Sequence, residues 1–218
     1  MQLIFTTSRR LDLFRRTAQS IGQLQDAALI TQIVVIDEGS TTEDVHEMAR
    51  TLAACLPGRE VTFNHSPALR GYRQQWQSWL DHAKDSFIFH CEDDWEFREA
   101  GHCLQDAVEV LRYDPSLIQV AFTYPRTDAP QKVTSNGTGY WVRESWGRPD
   151  LMPLTFNPCV FRLAAFRAVG DIGPKLHVEY QYGLRVAAAG WRTAYLERRV
   201  AFHLGANRSA FLINHAYR

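Results

Sequence analysis

Three carboxylates stand side by side at Glu92, Asp93 and Asp94, directly after the apolar run Phe87-Ile88-Phe89. Aromatic and β-branched side chains in such a run suit a buried strand. Adjacent carboxylates repel one another and cannot be buried without a positive partner. Two readings follow. One is a solvated acidic turn, the usual fate of a charge run. The other is a divalent-cation site at the C-terminal end of a strand. The strand before the triplet, in a chain that alternates strands and helices, favours the cation.

The elements that must carry this site can be read along the chain. Strand-like runs fall at 2–6, 32–37, 61–64 and 86–97, with helical spacing at 11–24, 40–56 and 68–84 between them. Ser40-Thr41-Thr42-Glu43 has the form of a capping box that opens the second helix. This alternation predicts an α/β fold with a mostly parallel sheet. In such sheets ligands bind beyond the carboxyl ends of the strands. Three polar clusters fall at those ends: Thr6-Thr7-Ser8-Arg9, Asp37-Glu38-Gly39-Ser40 and Glu92-Asp93-Asp94.

The second half reads differently. A helix at 99–112 and a strand at 117–123 precede a stretch at 124–153 without clear period, rich in Pro, Gly and aromatics. Its Tyr124, Arg126, Tyr140, Trp141, Arg143, Trp146 and Arg148 suit either a lid over a ligand or aromatics packed on the core. A strand at 154–161 follows, which Pro158 would place at an edge or bulge. Helices at 163–169 and 178–189, strands at 191–195 and 199–203, and a tail from 205 complete the chain. No repeat or linker interrupts these 218 residues, so one domain is expected.

Composition narrows the classes. Lys and Arg total 24 against 24 Asp and Glu, which gives no bulk charge for gripping duplex DNA or an anionic membrane. The lysines are Lys84, Lys132 and Lys175, so arginine dominates. Arginine suits two-pronged contacts to phosphate or carboxylate. Cys55, Cys91, Cys103 and Cys159 form no CxxC pair and read as free thiols in a reducing compartment. With no leader pattern and no run of about 20 apolar residues, a cytoplasmic protein is expected.

Taken in order, the motifs resemble the GT-A fold of nucleotide-sugar glycosyltransferases, most like family 2, over roughly residues 2–204. Thr6-Thr7-Ser8-Arg9 is similar to the family's first nucleotide-binding loop, and IVVIDEGS to its V-D-D-G-S segment. HCEDDWEF is similar to its D-x-D motif. NPCVFRLAAFRAVG and VEYQYGLRVAAAGWRTAYL are similar to its acceptor-side segments. The resemblance implies a single GT-A domain over 1–218. Residues 1–97 would form its nucleotide-sugar half, 98–204 its acceptor half and 205–218 its tail.

The resemblance also implies roles. Asp37 would meet the nucleobase, with Gly39 and Ser40 beside it, and Arg70-Gly71 would stand where the family has N-x-G, here without the asparagine. Asp94 and His203 would bind Mn2+ or Mg2+, and Glu92 or Asp93 would reach the ribose or the metal's waters. Oxygen ligands suit both ions, and Mn2+ also takes imidazole. Glu179 holds the position of the general base, although the family's acidic pair is here Glu179-Tyr180. It reads equally as a carboxylate at a helix N-terminus. Arg185 would meet phosphate or a carboxylate.

The donor implied is a nucleotide-diphosphate sugar, a UDP-sugar first, with inversion at the transferred carbon. The acceptor would be a saccharide, a lipid carrier or a modified base in DNA. Two other readings stand beside it: a non-catalytic sugar-nucleotide-binding module, and a sugar-nucleotide nucleotidyltransferase. The last has a glycine-rich first loop, and Thr6-Thr7-Ser8-Arg9 has no glycine.

Overall fold

The computed structural model describes residues 1–123, 131–135, 138–143, 154–171 and 178–205. The first half runs β1 Gln2–Thr7, α1 Leu11–Gly22, β2 Gln32–Glu38, α2 Thr42–Cys55, β3 Glu60–Ser66, α3 Tyr72–His82 and β4 Phe87–Glu92. After it come β5 Trp95–Phe97, α4 Cys103–Tyr113, β6 Leu117–Ala121, β7 Gln131–Ser135 and β8 Thr138–Arg143. The remainder is β9 Cys159–Arg162, α5 Leu163–Val169, α6 Val178–Ala188, β10 Arg192–Leu196 and β11 Ala201–His203.

Among the described residues, nine strands form one sheet in the order β3-β2-β1-β4-β9-β6-β10-β8-β7, and β11 pairs with β5 in a separate ribbon. β1, β2, β3 and β4 are parallel. β9 and β8 run against their neighbours. The chain walks outward from β1 to β3 and then returns to the other side of β1 at β4. That reversal leaves a crevice at the carboxyl ends of β1 and β4, the usual ligand position in such sheets.

Both faces of the sheet are covered, which is why Leu3-Ile4-Phe5 in β1 and Ile33 to Ile36 in β2 are apolar without alternation. Leu3, Phe5, Val35, Phe89 and Val120 pack with α1, α2 and α4 side chains on one face. Ile4, Val34, Ile88 and Phe161 pack with Trp76, Trp79 and Phe166 on the other.

Four expectations change. The acidic stretch is two strands joined by a turn at Asp93-Asp94. The stretch expected to lack period contains the β7–β8 hairpin, where Tyr140 and Val142 turn inward. Ser135 pairs with Thr138, and the two residues between them in sequence are Asn-Gly, the pair that a two-residue hairpin connection prefers. β9 is an interior strand between β4 and β6, and Pro158 stands just before it, where its missing N–H costs no ladder bond. Finally, α2 is capped by Thr41 with Asp44, because Ser40 Oγ is already engaged by Asp37. Residues 124–130 and 144–153 of the expected lid, and 206–218 of the tail, lie outside the described residues.

Candidate active site

The acidic triplet is organised by a residue from α1's threshold. Arg10, only 6% exposed, places Nε 3.2 Å from Asp93 Oδ2, its Nη2 on Asp93 Oδ1, and Nη1 2.7 Å from Asp94 Oδ2. Thr7 Oγ1 donates to Asp93 Oδ2 at 2.7 Å, and the Ser8 amide donates to the same oxygen at 3.3 Å. Asp93 is therefore wholly buried and turned inward. Its backbone is pinned as well: Thr17 Oγ1 donates to Asp93 O at 2.8 Å and accepts from the Trp95 amide at 3.1 Å.

Asp94 faces the β5–β11 ribbon. β11 sets His203 opposite Trp95, and Nε2 of His203 lies 3.3 Å from Asp94 Oδ2. The Leu204 amide donates to Asp94 O at 2.7 Å. A Cβ on Gly205 would come within 2.7 Å of Asp94 Oδ2, so the chain can pass here only as glycine. Asp94 Oδ1 is buried without a hydrogen-bond partner. Its carboxyl sits below the usual range, although burial pushes it up, because His203 and Arg10 outweigh that penalty.

A carboxylate oxygen without a partner beside an imidazole is a donor pair that Mn2+ accepts, so the residues present fit the cation. Among the described residues no group of three or more His, Cys, Asp or Glu could hold a metal. Asp94 and His203 are the two side chains here that would offer ligand atoms to such a cation.

Across the crevice stands α6. At its start Glu179 Oε1 accepts the Phe156 amide at 2.8 Å. Burial, then the charges of Asp94, Glu179 and Asp93, push Glu92 up to about 8, against the pull of Arg10. Burial likewise lifts Asp93 to about 7 despite Arg10. Glu92 also lies 3.5 Å from Trp95 Nε1.

The loops after β1 and β2 are stitched together. Ser8 Oγ donates to Glu38 O at 3.0 Å, the Arg9 amide to Ser40 Oγ at 3.2 Å, and Arg9 Nε to Gly39 O at 3.0 Å. Gly39 has φ +78, and a Cβ there would meet Arg9 Nε at 2.5 Å. Thr6 lies opposite Glu92 across β1 and β4. Asp37 is wholly buried, accepting from Ser40 Oγ at 2.6 Å and pairing with His65 Nδ1 at 2.7 Å. Glu38 reaches the start of α3, where Oε2 accepts the amides of Arg70 and Gly71 at 3.0 Å each. Arg70 Nε lies 3.4 Å from Glu38 Oε1.

The structure therefore brings Thr6, Thr7, Ser8, Arg9, Asp37, Gly39, Ser40, Glu92, Asp93, Asp94 and His203 to one edge, with Arg70, Gly71 and Glu179 on its rim. Arg185 is not brought there: it is exposed on α6, with its guanidinium on Asp171 O and over the Tyr182 ring at 4.9 Å. Arg10, Glu38 and His65 were not singled out from the sequence. Arg10 has a readable signal, since a buried acidic triplet demands an internal cation and the Arg9-Arg10 pair follows the facing strand.

No family model matches this chain, and no curated protein matches it in sequence. Solved structures do match in shape. A mannosyltransferase, PcManGT from Pyrobaculum calidifontis in complex with GDP-Man and Mn2+, superposes with a TM-score of 0.70 at 17% identity, over 99% of this chain and 60% of that one. TarS 1–349 of S. aureus gives 0.66 at 13% identity, over 94% and 61%. Its complex with UDP-GlcNAc gives 0.65 at 12%, over 94% and 60%. The chain thus spans about 60% of the length of these structures. It carries the GT-A glycosyltransferase fold. No described helix is long and apolar enough to cross a membrane.

Proposed function

We propose that this chain is a metal-dependent glycosyltransferase that moves a sugar from a nucleotide-diphosphate sugar to an acceptor hydroxyl with inversion. The observation that carries the reading is the meeting of Glu92, Asp94, His203 and Glu179 at the carboxyl edge of β1 and β4, with Asp94 Oδ1 buried and unpartnered. The complexes of PcManGT with GDP-Man and Mn2+ and of TarS with UDP-GlcNAc support the donor class.

In this reading the loops after β1 and β2 and the start of α3 hold the nucleotide, with Thr6, Ser8, Arg9 and Arg70 on its phosphates and ribose. Asp94 and His203 hold Mn2+ or Mg2+, and Glu92, at the end of β4, reaches the ribose or the cation's waters. When bound, the cation neutralises charge that builds on the departing diphosphate. Glu179, oriented by the Phe156 amide, takes the proton of the acceptor hydroxyl as it attacks the sugar carbon. Asp37 supports the base pocket from behind, through Ser40 and His65. Arg185 is left outside the reaction.

The donor is a UDP- or GDP-sugar, and the acceptor a saccharide or lipid-linked glycan before DNA, since the net charge is zero. The four cysteines are free, which suits the cytoplasm. The test is a screen of labelled nucleotide sugars for Mn2+-dependent hydrolysis, followed by transfer to candidate acceptors. Metal-dependent hydrolysis of one donor supports the reading. Tight donor binding with no hydrolysis or transfer would make the chain a binding module instead.

A further inference from the structure

Arg10 is placed by the sequence next to a candidate phosphate ligand, yet the structure turns it inward. It spends Nε and Nη2 on Asp93 and Nη1 on Asp94 Oδ2. Only a guanidinium fork reaches two neighbouring carboxylates in this way, because an ammonium is a single point of charge. Two consequences follow. Asp93, the middle member of the triplet, is neutralised inside the protein and withdrawn from the crevice. Asp94 has one oxygen occupied by Arg10, which leaves Oδ1, buried and without a hydrogen-bond partner, for a cation. The same turn is clamped by Thr17 on both sides of Asp94, through Asp93 O and the Trp95 amide.

We propose that Arg10 is the positioning residue of the metal-binding carboxylate, holding the acidic turn in its binding geometry before any cation arrives and limiting Asp94 to one-oxygen coordination through Oδ1. This rests on the metal role of Asp94 proposed above. Arg10 touches neither sugar nor nucleotide in this role. It acts through Asp94. A counter-charge alone would do something different: it would oppose a second cation nearby, so that its removal would tighten metal binding.

The experiment separates these roles by keeping the local charge constant. The double variant Arg10→Met with Asp93→Asn removes one positive and one negative charge together. Mn2+ binding, read by electron paramagnetic resonance without any donor, is expected to weaken by roughly 10–100-fold, the range for residues that orient a metal ligand. Arg10→Lys keeps the charge without the fork and should recover only part of that loss. A folded double variant, or a folded Arg10→Lys variant, with wild-type Mn2+ affinity overturns the proposal.

A second measurement needs no variant. Hydrogen exchange of the wild-type chain in excess chelator should already protect the Ser8, Trp95 and Leu204 amides, which donate to Asp93, Thr17 and Asp94. Protection that appears only on adding Mg2+ overturns the proposal, because the turn would then be built by the cation. If the wild type binds no Mn2+, the metal role fails by itself, whereas the exchange pattern in chelator still reports on Arg10's hold on the turn.

Discussion

His203 Nε2 lies 3.3 Å from Asp94 Oδ2, with the imidazole 32% exposed and the carboxylate 4% exposed. The carboxylate is fixed by Arg10 and the Leu204 amide, while the imidazole stands at the open side. Their contributions should differ accordingly. Asp94→Ala is expected to lower Mn2+-dependent donor turnover by about 10²–10³-fold, the scale of a lost charge-stabilising group. His203→Ala should weaken Mn2+ by about 10-fold and be rescued by excess metal. Titrating donor hydrolysis with Mn2+ checks both. Wild-type turnover by Asp94→Ala in excess chelator would remove this carboxylate from the reaction.

The charge of Glu179 is one cause that raises Glu92, and the Phe156 amide holds Glu179 in place. Glu179→Gln keeps the acceptor oxygen for that amide and removes that charge. Transfer should fall by about 10²–10⁴-fold, as for a lost general base. Donor affinity should hold, and thermal stability should stay level or rise. A transfer rate within a factor of a few of the wild type would assign Glu179 to the structural role of a helix-start carboxylate.

Glu38 fixes the entrance to α3 with one oxygen on two consecutive amides. Glu38→Ala leaves both amides without the acceptor they share. Gly71, at φ +93, then loses the contact that holds its turn. Nucleotide affinity should drop by about 10-fold while Mn2+ affinity alone stays unchanged, since no part of this contact reaches Asp94. Calorimetric titration with UDP and with GDP, each with and without Mn2+, measures the two separately. Unaltered nucleotide binding would detach this turn from the pocket.

The residues explain why some of this was legible in the sequence. Strands buried on both faces leave long apolar runs, so β1, β2 and β4 and the polar clusters at their ends can be found by eye. The Arg10 fork was harder to see, because a sequence does not say which of two adjacent arginines faces inward. Asp37 shows the same limit: its position beyond β2 marks a ligand loop, but its burial under Ser40 and His65 depends on β3 packing alongside. Pro158 points locally to an edge or bulge, whereas the neighbours of β9 are β4 and β6, both distant in sequence. The β7–β8 hairpin hid inside a stretch rich in Pro and Gly, where a short alternation at Tyr140 and Val142 is easily lost.

His90 supplies a test of the fold beneath the site. It is fully buried on β4, with its ring 4.7 Å from Trp76 and Nε2 3.2 Å from Thr6 Oγ1. Burial lowers its pKa from 6.5 to about 3, so the folded protein holds it neutral. Below pH 6.5 the unfolded chain takes up a proton that the folded chain refuses. This contribution to stability is therefore present above pH 6.5 and is lost as pH falls toward 3. The slope is about 1.4 kcal/mol per pH unit, or roughly 2 kcal/mol by pH 5. His90→Gln cannot take up that proton. Whatever its stability at pH 7, its deficit relative to the wild type should shrink by about that amount at pH 5. Urea unfolding of both proteins at the two pH values measures the change, and a deficit independent of pH would show that His90 titrates normally.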